Sequence, residues 1–171
     1  MAEVLLIGGR SGVGKTTVGW EVAAQLRVAD VPHAIIDGDF LGQVYPAPDD
    51  PLGLVERNLT AVWSNFAALG RTRLVYVNTL SVLPSTAGMF RRALGDDVRL
   101  VPVLLTASDA TVESRLTRRE LGSELADGLT ASAERERVLA QLDGVVRVVT
   151  DGRQVVDIAC EVVAASGWLS P

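Results

Sequence analysis

The chain has 171 residues, 48% of them apolar, 22% charged and 5% aromatic, with a net charge of −5 and a pI near 4.9. That length suits one domain with a real core, and the shortage of aromatics leaves the core to Val, Leu, Ile and Ala, the composition of a parallel sheet wrapped by helices. The acidic balance argues against a nucleic-acid surface, which needs a basic stripe; the single cysteine rules out an intrachain disulfide or a thiolate zinc cluster; and no apolar run nears the roughly eighteen residues of a membrane span.

In chain order, Glu3–Ile7 is a short apolar run ending in glycines, which predicts a buried strand. A helical pattern follows from Lys15 to about Val28, with Val18, Val22, Ala23 and Leu26 on one face. Ala34–Ile36 predicts a second strand, cut off by Asp37-Gly38-Asp39, and the prolines at 46, 48 and 51 mark a turn. A helix is expected from Leu52 to Leu69, closed by Gly70. Arg73–Val77 and Arg99–Leu105 predict the third and fourth strands, with a short helix over 85–94 between them. Ser108 or Asp109 can cap a helix through Leu116, which is expected to loosen around Gly122–Gly128. A helix over Thr130–Leu142, a strand over Val145–Val149 and a helix over Gln154–Ala165 complete the chain. Strands alternating with helices predict a three-layer α/β fold on a five-stranded parallel sheet.

Two isolated residues read as structural. Cys160 lies in an apolar helical stretch and is expected to be a buried thiol; His33 has no Cys or His neighbour to share a metal with. The first strand begins by Glu3, leaving no room for a leader, so the cytoplasm is the expected location.

The chemistry concentrates in Gly9-Arg10-Ser11-Gly12-Val13-Gly14-Lys15-Thr16, a complete G-x-x-x-x-G-K-[ST] phosphate loop between a strand and a helix. Its glycines let successive N–H groups turn inward on phosphate oxygens. The helix that opens at Lys15, and continues through Thr17, adds the positive end of its dipole. Lys15 is expected to reach the β- and γ-phosphates and the Thr16 hydroxyl to join Mg²⁺, so ATP and Mg²⁺ are the expected cofactors. Many NTPases end a later strand in a second carboxylate. Here the third strand runs into Asn78 and the fourth into Thr106. The acidic pair instead follows the second strand, at the carboxyl ends where open α/β sheets bind ligands. Residues two apart on an extended chain face opposite sides, so one of Asp37 and Asp39 can face Mg²⁺ and the other a substrate hydroxyl.

This layout resembles the P-loop small-molecule kinases, the group containing adenylylsulfate kinase, gluconate kinase, shikimate kinase and chloramphenicol phosphotransferase. The resemblance covers nearly the whole chain in order and spacing, and it implies a nucleoside-monophosphate-kinase-like fold in a single domain, residues 1–171, with a lid over about 115–130. It implies catalytic roles for Lys15, Asp37, Asp39 and Arg119, with Asp37 favoured as the catalytic carboxylate, and Mg²⁺ contacts for Thr16 and Asp37. In the R-x-x-x-R pair, Arg115 would stack on the adenine and Arg119 would reach the transferring phosphate. The adenine is expected against Thr150–Arg153, with Arg153 among the nucleotide contacts. A small-molecule hydroxyl acceptor is expected along Phe40–Arg57 and Asn78–Leu83, where Arg57 is either an anion contact or a solvated helix arginine. No nucleic acid or membrane partner is expected, and the chain is a monomer or a homodimer, with Trp63, Phe66 and Trp168 open to either interface or core. The D-G-F-P-R of nucleoside monophosphate kinases and the Gly-Gly-Gly of shikimate kinases are absent. The rival classes are a GTPase or ATPase switch, for which no N-K-x-D guanine motif exists, and a nucleotide-binding assembly module without an acceptor.

Overall fold

The computed structural model describes residues 1–119 and 123–169, with side chains given outside 119–127. The strands β1 (Glu3–Gly8), β2 (Ala34–Asp37), β3 (Arg73–Val77), β4 (Arg99–Thr106) and β5 (Val146–Val149) form one parallel sheet in the order β2-β3-β1-β4-β5. The helices are α1 (Lys15–Val28), α2 (Pro51–Ala68), α3 (Ala87–Leu94), α4 (Asp109–Arg119), α5 (Ser123–Leu139) and α6 (Val155–Ser166).

The period-two side-chain alternation of a strand sorts the apolar residues into two cores. Leu5, Ile7, Val75, Val77, Val103 and Leu105 point to one face, where α1 and α6 supply Val18, Val22, Leu26, Ile158 and Val162. Val4, Leu6, Leu74, Tyr76 and Leu104 point to the other, covered by Leu59 and Trp63 of α2 and Phe90 of α3. Strands buried on both faces explain why β1, β3 and β4 read as unbroken apolar runs. Trp63 and Trp168 are core residues, and Phe66 packs against the second core.

Local signals behave as their chemistry dictates. Asp50 caps α2 by accepting from the Gly53 N–H at 2.9 Å, Pro51 takes its first turn, and Gly70 follows its end with positive φ. His33 donates from Nδ1 to the Val31 carbonyl at 2.8 Å, a structural role.

Three expectations are corrected. From Ser123 onward there is no loosening: α5 is helical through Gly128 and ends at Leu139 rather than Leu142. One helical glycine costs only about 1 kcal/mol against alanine, and strong helix formers flank this one. Cys160 is exposed: α6 buries Ile158, Ala159, Val162, Val163 and Ser166, and position 160 falls outside that stripe. The chain between Asp37 and Asp39 is not extended, because Gly38–Phe40 forms a 3₁₀ turn directly after β2. Gly122 lies outside the described residues.

Candidate active site

The chain leaves β1 toward β2 on one side of the sheet and leaves its neighbour β4 toward β5 on the other, which opens a crevice at the carboxyl ends of β1 and β4. The phosphate loop fills that crevice. At Gly12 the backbone takes a φ of 88°, and a β-carbon would press within 2.9 Å of Val112 on α4, so both conformation and close approach require glycine. Gly14 then caps α1 at a φ of 98°, leaving the first N–H groups of the helix facing the crevice. Lys15 is buried and donates to the Arg10 carbonyl at 3.2 Å, curled back over the loop.

Arg10 itself turns away from the phosphate side. Its guanidinium is only 4% exposed; it donates to the Ala107 carbonyl at 2.8 Å and pairs with Asp109 at 2.7 Å and Glu136 at 3.4 Å. Ser132 donates to the Ser11 carbonyl at 3.0 Å. The loop is therefore tied from behind to the start of α4 and the second half of α5, two contacts that loop spacing does not reveal.

A cleft of about 370 Å³ opens above the loop. Ser11 to Val18 line one wall, including Thr17. Arg115 crosses the mouth, donating from Nη1 to the Gly12 and Val13 carbonyls at 3.3 and 3.1 Å and from Nη2 to the Thr150 carbonyl at 3.2 Å. Beyond Arg115 the cleft continues to Thr150, Arg153, Val155 and Ile158, an apolar floor under a cationic edge. Arg153 also pairs with Glu161 at 2.8 Å. Asp151 points the other way. It accepts from the Ser108 hydroxyl and the Thr111 hydroxyl, both at 2.6 Å, and from the Ser108 N–H, which ties the β5–α6 loop to the start of α4. These donors, the Ser108 hydroxyl foremost, hold its carboxyl down at about 2.

The acidic pair sits at the far end of the loop. Asp37 Oδ2 accepts from the Thr16 hydroxyl at 3.1 Å, and Asp37 Oδ1 from the Asp39 N–H at 3.1 Å. The 3₁₀ turn sends the Asp39 carboxylate elsewhere, to the Asn78 side-chain amide at 2.7 Å. Asn78 in turn accepts from the Leu80 N–H. Under this turn lies Tyr76, whose phenol is pushed well above its usual range by burial first and by the charges of Asp39 and Asp37 next. A β-carbon at Gly38 would run into that phenol, so glycine is required for space.

Asp39 borders a second cavity of about 360 Å³, shared with Gln43, Asn78, Thr79, Leu80 and Arg135. Asp39 and Ser11 line both cavities. Asp37, the carboxylate nearest the end of β2, lines neither. Arg57 is 67% exposed and 3.9 Å from Asp50, a solvated helix arginine. The side chain of Arg119 lies outside the described residues. Nothing in the sequence singles out Arg135, because no motif surrounds it and α5 carries arginines at 135 and 137 that only packing distinguishes.

No family model matches the chain, and no curated protein matches it in sequence. Solved structures do. The chain is similar to a gluconokinase from Sinorhizobium meliloti, with a TM-score of 0.65 and 20% identity over 99% of this chain and 93% of that one. The chain has the fold of the P-loop small-molecule kinases. The same kinase fold relates it to the tunicamycin resistance protein of Deinococcus radiodurans, with a TM-score of 0.68 and 16% identity over 98% and 96% of the two chains. The APS kinase of Mycobacterium tuberculosis, solved in complex with AMPPNP and APS, aligns with a TM-score of 0.57 and 19% identity over 96% of each chain. Among the described residues, no helix of this kinase fold is long and apolar enough to cross a membrane.

Proposed function

We propose that the protein is an ATP-dependent phosphotransferase that moves the γ-phosphate to a hydroxyl of a small molecule. The observation that carries this is the position of Asp39, which lines both the cleft over the phosphate loop and the cavity beside β2 and β3. A group there touches the point where a triphosphate and an acceptor would meet.

The roles follow from the geometry. The loop N–H groups and the start of α1 bind the phosphates, with Lys15 on the β- and γ-phosphates. Arg115 fastens the cleft mouth, and adenine lies on Val155 and Ile158 beside Arg153. Thr16 and Asp37 offer a hydroxyl and a carboxylate 3.1 Å apart at the end of the loop. That all-oxygen pair beside phosphate suits Mg²⁺, which takes one or two carboxylates plus phosphate and keeps several waters; bound there, it would neutralise charge on the β- and γ-phosphates. Asp39, held by Asn78, orients the acceptor hydroxyl and takes up its proton. A new bond forms from the acceptor oxygen to the γ-phosphorus, the bond from that phosphorus to the β–γ bridging oxygen breaks, and ADP leaves. Positioning supplies most of the rate in such transfers. Residues 1–171 act as one catalytic unit, with the stretch over about 115–130 as its lid and Arg119 on the transferring phosphate by its four-residue spacing from Arg115.

The test is an ADP-release screen with ATP and Mg²⁺ against sugars, sugar acids, nucleosides, sulfated nucleotides and hydroxylated antibiotics. Release that depends on one class of hydroxyl compound is expected. Tight ATP binding with no hydroxyl-dependent release would instead favour a nucleotide-binding assembly module, and a strong preference for GTP a switch.

A further inference from the structure

The second cavity carries charge of both signs on separate elements. Asp39 stands on the turn after β2, its carboxylate fixed by the Asn78 amide at 2.7 Å. Arg135 stands on α5 and is the sole cation among the described residues lining that cavity. The remaining lining is uncharged and mostly polar, with Gln43, Thr79 and Ser11. The other arginines around the crevice are already engaged. Arg10 serves Ala107, Asp109 and Glu136; Arg115 serves the loop carbonyls and Thr150; Arg153 serves Glu161; Arg92 makes a two-pronged pair with Glu56. Arg135 has no hydrogen-bond or ion-pair partner among the described residues.

A guanidinium presents a planar fork of donors that matches carboxylate, sulfate and phosphate oxygens, and it stays charged throughout the working pH range. Its place also separates two uses. The cleft above the loop, where the triphosphate lies, is lined by Lys15, Arg115 and Arg153 and not by Arg135. Arg135 belongs to the cavity on the other side of Asp39.

We infer that the phosphate acceptor is a hydroxylated anion, and that Arg135 binds its anionic group while Asp39 receives its hydroxyl. The inference deepens the phosphotransferase function proposed above and rests on it. Arg135 is then a specificity-determining residue: it fixes one end of the acceptor so that the hydroxyl at the other end meets the γ-phosphate. A neutral polyol lacks that anchor and leaves the guanidinium without a counterion.

The experiment uses the full chain with matched acceptor pairs that differ in charge alone: gluconate against glucitol, glycerate against glycerol, glucuronate against glucose, with a sulfated and a phosphorylated sugar added. Two readouts run in parallel, ADP release with ATP and Mg²⁺, and the thermal shift caused by each compound in the presence of AMPPNP and Mg²⁺. At least one acid should exceed its neutral partner in both. Arg135→Gln should raise KM for that acid by about ten- to a hundredfold, the scale of a lost charge-assisted hydrogen bond, and Arg135→Lys should restore part of the loss. ATP affinity should stay unchanged in both variants, which separates acceptor binding from misfolding or from a phosphate contact. Neutral partners equal to the acids, an acid preference that survives Arg135→Gln, or a panel in which no anion shifts the melting temperature would each overturn the inference. A loss of kcat with every acceptor alike would overturn it too, by moving Arg135 to the transferring phosphate. If acids bind in an Arg135-dependent way but no ADP is released, the anion site stands and the phosphotransferase function fails.

Discussion

On the phosphate-loop side of Asp39 the polar side chains are bound to one another. Arg10 is held from three directions, Arg115 spans two loops, and Asp151 collects three donors from the start of α4. At the cavity proposed for the acceptor, Asp39 and Asn78 share one hydrogen bond, Arg135 is exposed, and the turn and the segment after it show Phe40 and Tyr45 to solvent at 74% and 96%. A triphosphate presents the same phosphate oxygens at every turnover, so a preformed, cross-linked cradle loses nothing by rigidity. An acceptor pocket must admit one compound and orient it, and an open wall of adjustable side chains allows that adaptation.

The sharpest way to break this division is to strike its two sides separately. Lys15→Ala removes the ammonium curled over the loop and should lower phosphate transfer by about 10²–10³-fold, as for a lost charge-stabilising donor, with ATP affinity weakened in a direct titration. Asp39→Asn should lower turnover by about 10²-fold or more, the contribution of a positioned acid–base group, and leave ATP affinity alone. Asp37→Asn should do the reverse, weakening the Mg²⁺-dependent part of ATP binding, since Asp37 meets Thr16 and lines neither cavity. If Asp39→Asn turned over like wild type while Asp37→Asn bound ATP normally and did not turn over, the two carboxylates would have to exchange roles.

A smaller effect on the same boundary is expected at Gly38. A β-carbon there meets the Tyr76 phenol, and Tyr76 cannot give way because its ring is buried and packed edge-on against Phe90 at 5.0 Å. Gly38→Ala should cost about 1–3 kcal/mol of stability by overpacking, measured by chemical denaturation. It should displace Asp39 and lower turnover while the loop keeps its ATP affinity.

The two sides also differed in how far the amino-acid sequence disclosed them. The phosphate loop could be read residue by residue, because backbone N–H groups do its work and glycine spacing encodes them directly. The sheet was legible for a similar reason: strands buried on both faces leave continuous apolar runs. The acceptor side was not, because it is assembled from tertiary contacts. Asp37-Gly38-Asp39 is visible in the sequence, but the alternation of an extended chain does not apply where a 3₁₀ turn stands, and only that turn sends one carboxylate to Thr16 and the other to Asn78. Arg135 lies 96 residues from Asp39 along the chain, and Cys160 is exposed despite its apolar neighbourhood, because that neighbourhood says nothing of which side of a helix a residue faces.

The smallest expected effect tests whether the cross-links on the nucleotide side hold the cleft or only decorate it. Asp151 is the natural probe, since it joins the β5–α6 loop to the start of α4, and both elements flank the cleft. Its carboxyl sits at about 2, below the ordinary 3.8, because three hydrogen bonds favour the charged form. A carboxyl held low in the folded state adds stability that is fully present above its unfolded value and is lost as pH falls through its folded value. Asp151→Asn should therefore lower stability by about 1 kcal/mol, the scale of a lost helix cap, and the gap to wild type should be constant above roughly pH 4.5 and close as pH falls from 3.8 toward 2. Melting curves of both proteins across that range measure it. A cross-link that shapes the cleft should also show in ATP affinity, weaker in Asp151→Asn at neutral pH, with the KM for the acceptor unmoved. A stability loss with unchanged ATP affinity would mean that Arg115 and Thr150 hold the mouth of the cleft without help from Asp151.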